Sequence, residues 1–124
     1  MLQNASVMSF VPTRDFARAR AFYVDLLGLI LVSQDDFALE VECNGTHIRI
    51  TKVDRFTPFP FTILGWRTPD IFSTVHALAA KGIIFERYDF LQQDADGVWT
   101  APGGTKVAWF RDPDGNTLSL SEHA

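Results

Sequence analysis

A chain of 124 residues has the ordinary length of one domain, and its 47% hydrophobic and 21% charged residues supply a core that needs no disulfide or metal staple. The single cysteine, Cys43, excludes an internal disulfide and a multi-cysteine metal cluster, and fits a reduced compartment. A net charge of −4 argues against a nucleic-acid partner, which needs a basic face, and mildly favours neutral or cationic ones. Met1–Val7 lacks the basic start and apolar run of a secretion signal, and no apolar stretch nears the roughly 20 residues of a membrane helix, so a cytoplasmic protein with no membrane contact is expected.

In chain order, Val7–Val11 is a short apolar strand. Asp15 can cap the helix that follows, because its carboxylate can accept the free N–H groups of the first turn. Phe16, Ala19, Phe22, Tyr23, Leu26 and Leu27 recur at helical spacing, and Gly28 ends the helix. Leu29–Ser33, Phe37–Cys43 and Thr46–Val53 read as three strands, the last two joined by the hairpin signal Asn44-Gly45. Phe56–Phe61 is a connector whose two prolines argue against a helix or a central strand. The order then repeats: strand Thr62–Arg67, cap Asp70, helix to about Ala80, stop at Gly82, strand Ile83–Arg87, and strands Thr105–Arg111 and Thr117–Ser121 around the turn Asp112–Asn116. Thr13-Arg14-Asp15-Phe16 matches Thr68-Pro69-Asp70-Ile71, and Gly28-Leu29-Ile30-Leu31 matches Gly82-Ile83-Ile84-Phe85, both about half the chain apart. Tyr88–Gly104 has no counterpart in the first half and reads as a long loop, functional or mobile, anchored by Trp99.

The hairpins assign faces. A two-residue turn at Asn44-Gly45 pairs Glu42 with His47 and Glu40 with Arg49 on one face, leaving Leu39, Val41, Ile48 and Ile50 for the helix side. A three-residue turn at Pro113-Asp114-Gly115 pairs Trp109 with Ser119 and Val107 with Ser121, and groups Ala108, Phe110, Leu118 and Leu120 on a wholly apolar face. The polar and aromatic face that results suits a small-molecule pocket.

Arg20-Ala21-Phe22-Tyr23-Val24-Asp25-Leu26-Leu27-Gly28-Leu29 resembles the first-helix signature of the glyoxalase/bleomycin-resistance/dioxygenase (vicinal oxygen chelate) superfamily, and Trp109–Asn116 resembles its final-hairpin signature. The resemblance covers nearly the whole chain. It implies an α+β fold of two tandem βαβββ modules forming a curved mixed sheet with a concave cleft and helices on the outer face. That makes one domain over 1–124, with module one about 5–55, the connector about 56–61 and module two about 62–123. It also implies a homodimer, to which the open sheet edges and the apolar connector residues Phe56, Phe59 and Phe61 add. The metal enzymes of that superfamily carry ligands on the first and last strands of each module. Matched positions here are Met8, Arg49, Leu64 and Ser119, which cannot make a hard nitrogen and oxygen site, so no metal and no other cofactor is expected.

The residues expected to line the cleft are Met8, Phe10, Arg49, Trp66, Val107, Trp109 and Ser119. Arg49 can take a carboxylate or phosphate in a bidentate fork, or pair with Glu40. Trp66 and Trp109 can wall a flat or cationic ligand, or simply fill the cleft. Glu40, Glu42 and His47 are a close set able to hold a metal, or a pair of cross-strand charge contacts worth about 0.2–1 kcal/mol each. His76 and His123 read as surface residues, and Asp112 and Asp114 as turn formers. The first function to expect is metal-free binding of a small molecule, as in drug or toxin sequestration. The alternatives are a divergent lyase, isomerase or dioxygenase-type enzyme using Glu40, His47 or Arg49, and an interaction module.

Overall fold

In the computed structural model, which describes residues 1–124, the chain folds as two units, Met1–Thr57 and Pro58–Ala124. The first contains β1 (Met8–Thr13), α1 (Phe16–Arg20) running on as a π-helical segment (Ala21–Leu26), β2 (Ile30–Gln34), β3 (Ala38–Cys43) and β4 (Thr46–Lys52). Its sheet has the order β1-β4-β3-β2, with β1 parallel to β4 and the other pairs antiparallel. The second contains β5 (Thr62–Arg67), α2 (Ile71–Ala80), β6 (Trp99–Thr100), β7 (Lys106–Arg111) and β8 (Thr117–Glu122), in the sheet order β5-β8-β7-β6 with β5 parallel to β8. This is the α+β arrangement of two βαβββ-like modules, each with a four-stranded mixed sheet.

Both helices begin where the repeat puts them. Asp15 Oδ1 accepts from Ala17 N at 2.9 Å and Arg18 N at 3.2 Å, and Asp70 Oδ1 accepts from Ser73 N at 3.3 Å. The first helix departs from the uniform α-helix expected of its spacing. Its end widens, with Leu27 N donating to Phe22 O at 2.9 Å. Phe22 and Tyr23 are consecutive yet both buried, with rings edge-to-face at 5.0 Å. Consecutive α-helical side chains diverge by about 100° at 3.6 residues per turn, and the wider turn narrows that angle.

Hairpin registers follow the turn chemistry. Asn44 (φ 48°) and Gly45 (φ 85°) both take the left-handed conformation that a two-residue turn needs, and Glu42 pairs with His47 and Glu40 with Arg49. The opposite face carries Leu39, Val41, Ile48 and Ile50, all buried. In the last hairpin Gly115 (φ 87°) closes a three-residue turn, and Trp109 pairs with Ser119. Ala108, Phe110, Leu118 and Leu120 are buried together with Ile71 and Val75 of α2, which packs on β7 and β8.

Asp112 holds that turn. Its Oδ1 accepts from Asp114 N and Asn116 N at 2.9 Å each, and its Oδ2 from Asn116 Nδ2 at 2.8 Å, with both side chains buried. Asp112→Ala is expected to cost about 2–3 kcal/mol in urea unfolding, because each buried donor left unpaired costs about 1–3 kcal/mol. Asp112→Asn keeps an acceptor at Oδ1 and is expected to cost less.

One expected strand is absent. Ile83–Arg87 forms no ladder, and touches β7 through Glu86 N donating to Trp109 O at 2.7 Å. The Gln93 side chain takes backbone groups in this segment and just beyond it: Gln93 Nε2 donates to Glu86 O, and Tyr88 N donates to Gln93 Oε1, each at 2.8 Å. The edge of β7 goes to β6, which lies inside the segment expected to be loop. No helix is long and apolar enough to cross a membrane.

Candidate ligand-binding site

Alternation along β7 buries Ala108 and Phe110, so Trp109 faces the other way. A hollow of about 400 Å³ opens beside it, mostly apolar in its walls. Tyr88 meets the Trp109 ring edge-on at 5.5 Å and 85°, and Trp99 lies 6.2 Å away at 36°. Phe90 continues from Tyr88 at 5.6 Å and is 83% exposed, so it stands at the rim. Phe61, also in the wall, stacks on Phe59 at 5.0 Å and 9°. Thr62, Thr117 and the Tyr88 phenol bring the polar atoms. Thr117 is buried and donates to Phe59 O at 3.3 Å. Burial, aided by Glu86 and opposed by Arg111, pushes the Tyr88 phenol above its ordinary value, so it stays a neutral hydroxyl donor at physiological pH.

Gln93 ties the two arms that carry these rings. Besides its bonds to Glu86 O and Tyr88 N it donates to Gly97 O at 2.8 Å, and it bridges to Trp99 in antiparallel fashion. Arg87 adds donations to Asp94 O and Ala95 O at 2.7 and 2.8 Å. The segment expected to be a long loop, functional or mobile, is therefore heavily bonded. Gln93→Ala is expected to speed hydrogen exchange of the Tyr88 amide by about tenfold or more, since one net hydrogen bond is worth about 1 kcal/mol and the freed amide also loses its shelter.

In the first unit, Met8 and Phe10 of β1 lie beside His47 and Arg49 of β4, on the face turned away from the buried Ile48 and Ile50. The expected straight charge pairs do not form, although the backbone register is as expected. His47 Nδ1 donates diagonally to Glu40 Oε2 at 2.7 Å, and Glu42 Oε1 accepts from Gly45 N at 2.8 Å. The tight turn supplies a nearer donor for Glu42, which releases His47. Arg49 has no carboxylate within 4 Å. Its charge is felt at Asp35, whose carboxyl is held below the usual range chiefly by the backbone N–H groups of Phe37 and Ala38.

Of the seven residues expected together, Trp109 lines the hollow, and Val107 and Ser119 share its face of the sheet without lining it. Met8, Phe10 and Arg49 share one face of the first unit. Trp66 is misplaced by the expectation. It pairs with Leu120 on the helix side and stacks 6.2 Å from Phe110. The cause is a register shift between Thr62 and Leu64, which also turns Leu64 inward beside Leu118 and leaves Gly65 opposite Ser119. Gly65 was the available signal: a glycine inside a strand marks a bulge or a close approach, and a Cβ there would sit 2.9 Å from Ser119 Oγ. Tyr88, Phe90 and Leu91 were missed as walls because nothing local shows which way a loop turns. His76 lies on the surface, 2.9 Å from Asp96.

The family model of the Glyoxalase/Bleomycin resistance protein/Dioxygenase superfamily matches residues 5–120. The chain belongs to this superfamily. Among solved structures it is similar to a superfamily member from Sphaerobacter thermophilus DSM 20745, with 23% identity and a TM-score of 0.76 over 99% of this chain and 100% of that one. It is similar to TnmS3, an antibiotic binding protein from Streptomyces sp. CB03234, with 25% identity and a TM-score of 0.72 over 100% and 99%. It is also similar to lactoylglutathione lyase from Agrobacterium tumefaciens, with 18% identity and a TM-score of 0.74 over 96% and 93%. No curated protein matches the chain in sequence. With the β5 register corrected, the matched positions hold a thioether, a guanidinium, a glycine and a hydroxyl, at Met8, Arg49, Gly65 and Ser119. No three His, Cys, Asp or Glu side chains converge anywhere in the chain.

Proposed function

We propose that this superfamily member binds a flat, largely apolar small molecule against Trp109 and holds it without turnover and without a metal, as a sequestering protein for a drug or toxin. The observation that carries the reading is the hollow walled by Trp109, Trp99 and Tyr88. Stacked and edge-on rings of this kind are each worth about 0.5–1.5 kcal/mol beyond the area they bury. The hollow holds hydroxyls and no carboxylate or imidazole, so it offers hydrogen bonds and no general base. TnmS3 is an antibiotic binding protein, and its likeness supports the same use of the fold. The reading includes a homodimer, suggested by the exposed, stacked Phe59 and Phe61 and testable by light scattering.

Thermal unfolding against a panel of polycyclic aromatic compounds and their saturated counterparts tests the proposal. A ligand present at 100 times its Kd is expected to stabilise by about 2.7 kcal/mol, with the compound recovered unchanged. A panel in which no aromatic compound raises the Tm, or in which one is consumed, overturns it.

A further inference from the structure

We infer that Arg49 anchors an anion-binding subsite on the β1–β4 face of the first unit, one that takes a carboxylate carried on an apolar body, and that His47 keeps it available by holding Glu40. The subsite stands on the first unit alone and does not depend on the hollow at Trp109.

Register places Glu40 of β3 directly opposite Arg49 of β4, the position from which a long acidic side chain pairs with a guanidinium. Glu40 lies instead against His47, with Oε2 2.7 Å from Nδ1 and only 20% of its side chain exposed. A carboxylate can only accept, so His47 donates from Nδ1 and is fixed in that tautomer or its protonated form. Glu42, the other acidic residue on this face of β3, is closed onto Gly45 N. Asp35 senses the Arg49 charge, but its Oδ1 is occupied by Phe37 N and Ala38 N. Glu40 and Glu42, the acidic residues on this face of β3, are thus each hydrogen-bonded away from Arg49, and Asp35 is tied to its own turn.

A guanidinium presents five donors in a planar fork, and its natural complement is a planar oxyanion held through two parallel bonds. Arg49 is only partly exposed, so salt screens it less than a free surface charge. Beside it on β1 stand Phe10, 62% exposed, and Met8, 41% exposed, apolar side chains with no core to fill. A charge clamp next to uncovered apolar surface selects a molecule that carries both features. Simple anions gain nothing from Phe10 or Met8. An aryl carboxylate gains from both.

The experiment compares 2-naphthoate with neutral 2-naphthamide by equilibrium dialysis against the full chain. The carboxylate is expected to bind about tenfold or more tightly than the amide, the size of one charge-assisted pair. Arg49→Gln should abolish that preference, and Arg49→Lys should keep part of it, since an ammonium retains the charge without the fork. If Arg49→Gln does not fold, Arg49→Lys alone decides. The distinctive arm is His47→Ala. It frees Glu40 to turn onto Arg49, so naphthoate affinity should fall about fivefold or more although His47 touches no ligand, and the double variant H47A/E40Q should restore it. In a Trp109→Ala background, which removes aromatic binding at the hollow, the preference for naphthoate over naphthamide should persist and should still be lost on adding Arg49→Gln, which separates this subsite from the aromatic hollow. Equal binding of the two probes, absence of binding by either, a preference that survives Arg49→Gln, or a double variant no better than H47A would each overturn the inference.

Discussion

Phe110→Ala is expected to cost about 3–5 kcal/mol of folding stability, the range for deleting a buried aromatic ring. Phe110 is fully buried on the helix side of β7, with Trp66 stacked 6.2 Å away and Phe85 at 5.6 Å. Its cross-strand partner Leu118 and its neighbours Ala108 and Leu120 are buried as well. Removing the ring leaves a void among groups that belong to four segments, β5, the stretch after α2, β7 and β8, which cannot all collapse into it. Against a typical total of about 5–15 kcal/mol, that is a large share of the stability of the second unit. Urea unfolding followed by far-UV circular dichroism measures it. Phe110→Leu keeps most of the volume and is expected to cost about 1–2 kcal/mol. A loss below about 1 kcal/mol for the alanine variant would mean the ring is not in the core.

The same alternation that predicts this loss was legible in the sequence, because turn chemistry fixes register and register fixes faces. Asn44-Gly45 and Asp112–Asn116 are local signals, and each set the pairing of its hairpin correctly. Asp15 and Asp70 marked the helix starts for the same reason. What stayed hidden depends on tertiary choice. Strand β5 pairs with β8 through a parallel contact that no turn pins, so the shift before Leu64 put Trp66 on the wrong face. Ile83–Arg87 has a strand-like composition, yet the Gln93 amide supplies the bonds that a neighbouring strand would have made. Glu40 and His47 were placed correctly by backbone register, while their side chains reach diagonally, a choice between donors of similar reach that spacing cannot resolve. Each candidate site was thus partly visible: Arg49 in the first unit and Trp109 in the second follow from hairpins, and the aromatic walls beside Trp109 come from a bonded loop.

Trp109→Ala is expected to weaken an aromatic ligand by about thirtyfold or more, while lowering stability by clearly less than Phe110→Ala. The two residues are adjacent, and alternation sends one side chain to each face. Trp109 is only partly buried, and the rings it meets, Tyr88 and Trp99, come from the bonded loop and the short edge strand β6 rather than from the packed layer of α2 against the sheet. Its removal therefore opens an existing hollow toward solvent and creates no closed void, so the transfer cost dominates and the cavity cost is small, about 1–2 kcal/mol in all. The ligand, in contrast, loses the flat surface on which it rests. A central aromatic anchor in a binding site contributes about 2 kcal/mol or more, which converts to the stated fold-change at about 1.4 kcal/mol per factor of ten. Trp109→Phe keeps an aromatic face and is expected to recover most of the affinity. Titrations of wild type and both variants with the strongest aromatic compound of the panel, set beside urea unfolding of the same samples, separate the two effects. A Trp109→Ala variant that binds as wild type places the ligand elsewhere, and one that loses as much stability as Phe110→Ala makes the ring structural.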